Sequence, residues 1–200
     1  MKRIFYTALA VAICSAISVN AKAQSNATEV QRNVNQQTRI EEGLKSGALS
    51  SREAARLEKQ ESKVNRDEAR ALKDGKLSVA EKAKLQAEQN KVSQNIYREK
   101  HDAQMGNANS ASSKRTQAEV QRNINQQQRI EAGVKSGTLT KIETAKLERG
   151  QAHVEHKEAK AGVDGRVGMR EEAGIQHAEN KQSHKIYKQK HNAQTAPARP

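Results

Sequence analysis

The side chains best able to do chemistry are histidines and a pair of acids beside a glycine. His177, His184 and His191 recur every seven residues, which stacks them on one helical face. His153 and His156 stand three apart, a spacing at which two imidazoles can share zinc, nickel or copper. Asp74 and Glu81 flank Gly75 and Ser78 and could offer oxygens to calcium. Asp74, Glu81, His153, His156, His177, His184 and His191 are thus candidate metal ligands, and exposed histidines beside a plain helix corner are the alternative. A weak divalent metal is the only cofactor these residues suggest. No phosphate loop, nucleophile elbow, H-E-x-x-H or Ser-His-Asp set occurs at a recognisable spacing, so no enzyme is expected.

A second polar set is Asn90, Ser93, Tyr97, His101 and Gln104, repeated as Asn180, Ser183, Tyr187, His191 and Gln194. Steps of three and four put each set on one helical face. The face is either a binding strip or the seam where one helix packs on another.

The elements that position these groups come from a duplication. EVQRNVNQQTRIEEGLKSGALS from Glu29 returns as EVQRNINQQQRIEAGVKSGTLT from Glu119, and 38 of 76 positions in 29–104 match 119–194. Within each copy, SGALSSREAARL and DGKLSVAEKAKL share a glycine, a leucine, a hydroxyl and a glutamate. The pattern predicts an all-α protein of two tandem repeats, each with helices near 29–45, 51–73 and 79–104, and again near 119–135, 141–163 and 169–194. Residues 24–28 form an N-terminal segment, 105–118 a flexible linker and 195–200 a disordered tail. Leu57, Val64 and Ala71 make one narrow apolar seam, and Leu85, Val92 and Ile96 another. Glycines 150, 162, 168 and 174 in the second copy predict that it melts first.

The corner at 70–81 resembles the twelve-residue loop of the EF-hand, with Asp74 at its fifth position, Gly75 at its sixth and Glu81 at its twelfth. Arg70 and Leu72 stand where the first two acidic ligands belong. The same residues also fit a helix stop and start: Gly47, Gly75, Gly137 and Gly165 as left-handed terminators, and Ser50-x-x-Glu53, Ser78-x-x-Glu81 and Thr140-x-x-Glu143 as capping boxes.

MKR, an apolar run from Ile4 and Ala21-Lys22-Ala23 describe a signal peptide over 1–23, so a periplasmic or secreted protein is expected. Removing Lys2, Arg3 and Lys22 lowers the net charge from +13 to +10. Such a polycation suits an anionic envelope component, or a protein partner. Only Tyr97 and Tyr187 are aromatic beyond the signal, which argues against nucleic acid, and nothing there is apolar enough to span a membrane. The pattern G-x-L-S/T-x-x-E-A-x-x-L, then N-x-x-S-x-x-I-Y-x-x-K-H-x-A-Q, resembles small exported bacterial helical-repeat proteins of uncharacterised function. The resemblance spans Gly47 to Gln104 and again Gly137 to Gln194, and implies export and a repeat but no activity.

Overall fold

A computed structural model describes residues 16–192. The first part of the expected signal peptide, the C-terminal tail and Gln194 lie outside the described residues. The described chain is all-helical: α1 (Ala16–Ser46), α2 (Ser51–Ala71), α3 (Val79–Lys100), α4 (Ala111–Ser136), α5 (Lys141–Ala161) and α6 (Met169–Lys190), with one 3-10 turn at Gly162–Asp164. None of these helices is long and apolar enough to cross a membrane.

The corners follow from local chemistry. Gly47, Gly75, Gly137 and Gly165 have φ between 73° and 85°, the left-handed conformation that only glycine adopts without strain. The next helix is then capped. Ser50, Ser78 and Thr140 each accept from the backbone N–H of the glutamate three residues on, and that glutamate accepts from the cap's own N–H. Before α6 there is no hydroxyl, but the Gly168 N–H still donates to Glu171 at 2.9 Å.

Several boundaries differ from the sequence expectation: the third helices, read to 104 and 194, end at Lys100 and Lys190 with His101 and His191 as their caps, and two segments read as non-helical lie in helices. The segment read as a flexible linker, 105–118, is helical from Ala111 onward, because the Ser110 hydroxyl caps α4 by accepting from the Ser113 N–H at 3.1 Å. Residues 24–28 belong to α1, with Asn26 and Ala27 buried.

Within each copy the third helix lies on the first through matching bonds. Arg32 donates to Asn90 and Arg122 to Asn180, both at 2.5 Å, while Gln36 donates to Ser93 and Gln126 to Ser183, both at 2.8 Å. The copies then interlock, chiefly α2 against α5 and α1 against α4. Both pairs run antiparallel: Ser62 donates to the Ala152 carbonyl and Ala55 lies beside Gly162, while Gln117 early in α4 donates to the Leu44 carbonyl late in α1 and Val30 clusters with Ile130 and Val134. One apolar cluster joins Val34, Leu57 and Ile96 to Val120 and Ile124 of α4, and another joins Ala27 and Val30 of α1 to Ile130, Leu147 and Ile186.

This shared core changes the expectation that the second copy melts first. Each copy completes the other's core, so one cooperative transition is expected. The glycines also have separate roles. A Cβ on Gly162 would lie 2.7 Å from the Ala55 Cβ, whereas one on Gly174 would meet nothing within 4 Å. Gly174→Ala should therefore raise Tm by about 2–4 °C through helix propensity, and Gly162→Ala should lower it. Thermal melts followed by circular dichroism check the opposite signs.

Candidate functional site

The Asp-Gly corner carries no converging ligand set. The Asp74 side chain accepts from the Lys76 N–H at 2.9 Å, which is turn chemistry, and Glu81 is engaged with Ser78 as a cap. Ser78 hydrogen bonds hold the Glu81 carboxyl below its usual range.

The polar strip divides in two. Asn90, Ser93, Asn180 and Ser183 face the first helix of their own copy in the bonds described above. Tyr97 and Tyr187 stand out at 59% and 58% exposed, each stacked on its histidine, His101 or His191, with ring centroids 4.1 and 4.2 Å apart. Each histidine Nδ1 also bonds the tyrosine carbonyl one turn back. These histidines thus terminate helices. Gln104 is exposed, and its N–H donates to Asp102.

His153, His156, His177 and His184 are exposed as well. They join no set of three ligands among the described residues. Two of them, His153 and His177, line a groove of about 500 Å³ between α5 and α6. Its other walls are Lys146, Arg149, Lys157, Lys181 and Lys185, with Gly150, Ala178 and Gln182 at the base and no acidic residue. None of these five cations makes an ion pair among the described residues. Burial, then Lys157, Lys185, His156 and Lys181, lowers the His153 pKa.

The first copy has a different arrangement at the matching place. The counterparts of His153, Lys157 and Ala178 are Lys63, Asp67 and Glu88. There Lys63 bridges Asp67 at 2.8 Å and Glu88 at 2.6 Å. Gln60 and Asn95, which correspond to Gly150 and Lys185, bond each other across the same space. The second copy replaces two acids by lysine and alanine and opens this bridge. A search of family models, of curated proteins and of solved structures found no match to this chain. The two copies are therefore each other's reference, and the α5–α6 groove is one place where they differ in charge.

A feature not foreseen from the sequence is a core of carboxyls and amides. Glu58, Glu61 and Glu68 of α2 and Glu148, Glu155 and Glu158 of α5 are each at most 4% exposed. Gln37 donates to Glu58, Asn33 to Glu68, Gln127 to Glu148, Asn65 to Glu155 and Asn123 to Glu158, at 2.6–3.2 Å. Among the described residues no lysine or arginine is buried with them. Burial pushes Glu58 and Glu148 up to about 7 and raises Glu61, Glu68, Glu155 and Glu158 well above the carboxylate range. After burial, the neighbouring carboxyls of Glu58, Glu119 and Glu179 raise Glu158 further. Among the described residues these carboxyls do not converge in threes; they form a seam of buried acids and amides between the helices.

Proposed function

We propose that this chain is an exported, non-enzymatic helical-repeat protein that binds an anionic envelope component through the α5–α6 groove. The observation that carries this reading is five unpaired cations around a recess whose first-copy counterpart is closed by its own acids. A recess of about 500 Å³ suits a headgroup-sized anion. Four of the five cations are exposed and Lys157 is half-buried, so the attraction comes from their convergence on one recess, which focuses positive potential there. The resemblance to exported repeat proteins supports the envelope as the location.

Metal capture by the histidines is the weaker reading. His153 and His177 do line one groove, but the lysines and arginine around them repel a divalent cation. Co-sedimentation of the full chain with vesicles tests the proposal. Binding is expected to vesicles rich in phosphatidylglycerol, to be absent with phosphatidylcholine alone, and to fall steeply as salt shortens the Debye length from ~30 Å at 0.01 M to ~8 Å at 0.15 M. Lipopolysaccharide in the same assay separates a phosphorylated glycolipid from a phospholipid source. No binding to either anionic probe at low salt, or binding indifferent to salt, would overturn the reading.

A further inference from the structure

The two copies also differ at the start of their second helices. Glu143 caps α5 through Oε2, which accepts from the Thr140 N–H at 2.9 Å. Its other oxygen, Oε1, accepts from the Asn192 side-chain amide at 2.6 Å, and Asn192 also donates to Gln189 at 3.4 Å. Both carboxylate oxygens of Glu143 thus have N–H donors.

Glu53 occupies the matching position in the first copy. It caps α2 in the same way, with Oε2 accepting from the Ser50 N–H at 2.8 Å. The residues matching Gln189 and Asn192 are Glu99 and Asp102, which have no amide to donate. Glu53 is 1% exposed, and its Oε1 is buried without a hydrogen-bond partner. Oxygens of Glu53, Glu99 and Asp102 all lie within 4.8 Å of one another, the only such set of three among the described residues. None of the three takes part in an ion pair there, and the neighbouring Lys100 faces Glu42 at 3.6 Å. Asp102 accepts one bond, from the Gln104 N–H at 2.8 Å.

We propose that Glu53, Glu99 and Asp102 bind one hard divalent cation, best matched by calcium. An ion at the place of the Asn192 amide would satisfy the orphaned Glu53 oxygen and offset the repulsion of three carboxylates. Oxygen-only ligands exclude the softer metals as the preferred guest. Calcium–oxygen bonds of ~2.3–2.6 Å place two ligands on one ion at most ~5 Å apart, which matches the observed spread. Glu53 supplies a buried anchor, Glu99 and Asp102 form the rim, and water completes the shell. The site shares no residue with the α5–α6 groove.

Titration calorimetry and thermal melts of the full chain, stripped with EDTA and then given calcium, magnesium or manganese alone, provide the test. One calcium per chain is expected, with a dissociation constant in the ~10⁻⁴–10⁻³ M range of exposed oxygen sites. At about tenfold excess over that constant, Tm should rise roughly 3–6 °C. Glu99→Gln with Asp102→Asn installs the second copy's residues. This double variant should lose the calcium response and melt higher than the parent in EDTA. The reverse exchange, Gln189→Glu with Asn192→Asp, should create a second equivalent of binding. Absence of a calcium response in the parent at millimolar calcium, or the same response in the Glu99→Gln/Asp102→Asn variant, would overturn the site.

Discussion

Raising the pH from about 5 to about 8.5 should lower the melting temperature of the full chain by more than about 10 °C. Burial raises the carboxyl pKa of Glu29, Glu58, Glu61, Glu68, Glu119, Glu148, Glu155, Glu158 and Glu179 above the ordinary 4.5. The folded chain then holds protons that the unfolded chain releases, so rising pH favours unfolding by about 1.4 kcal/mol per proton per pH unit. The contribution is complete below the unfolded value. It disappears as pH passes the folded values, about 7 for Glu58, Glu148 and Glu179 and about 8 for Glu119. His153 works in the opposite sense, since its lowered pKa favours the folded chain as pH rises, but it is one group against nine.

An acid limit exists as well. Lys63 outweighs burial at Asp67, and Asn192 and Thr140 outweigh it at Glu143, so both carboxyls lie below their usual range and lose their contribution in strong acid. The optimum should therefore fall near pH 5. Glu58→Gln keeps an acceptor for Gln37 while removing one titration. It should leave Tm at about pH 5 nearly unchanged and raise it at about pH 8.5. A melting profile that is flat or rises over this interval would contradict a protonated core.

The corners and the core differ in how much they reveal in the sequence. Gly75, Ser78 and Glu81 stop one helix and start the next using atoms within a few residues, so their spacing already states their role. The EF-hand resemblance arises because a helix corner and a calcium loop both need glycine at the turn and glutamate at the next helix. The carboxyl seam is less visible. On α2, Glu61 and Glu68 fall at the same three-and-four spacing as Leu57, Val64 and Ala71, and hydropathy alone reads them as the polar edge of a narrow stripe. The residues that close the seam lie far apart in sequence, as in the Asn65–Glu155 bond between residues 90 apart. One signal was present: Asn33, Gln37, Glu58 and Glu68 reappear unchanged as Asn123, Gln127, Glu148 and Glu158, while exposed Lys63 becomes His153. The groove has no motif either, since its cations meet only when α5 packs on α6. It emerges when the copies are aligned and Asp67 and Glu88 are seen to have no acidic counterpart in the second.

That difference can be removed, and the result should be the largest functional effect. His153→Lys, Lys157→Asp and Ala178→Glu together rebuild in the second copy the Lys63–Asp67–Glu88 set of the first, whose contacts are 2.8 and 2.6 Å. The triple variant has a folded precedent within the same chain, so Tm should change little. Its groove charge falls by two units, and one lysine is drawn into the new pairs. At an interaction of ~1 kcal/mol per charge at contact in water, affinity for phosphatidylglycerol vesicles should drop at least about thirtyfold at low salt. The salt dependence should flatten in parallel, because fewer cations remain to engage the anionic surface. Changing Lys59 and Lys91 of the first copy to alanine provides the control, since these cations correspond to Arg149 and Lys181 but stand beside the bridged set. They should cost only a few-fold through net charge. An equal loss in both variants would mean that the chain binds anions by its overall charge, with no special place for α5 and α6.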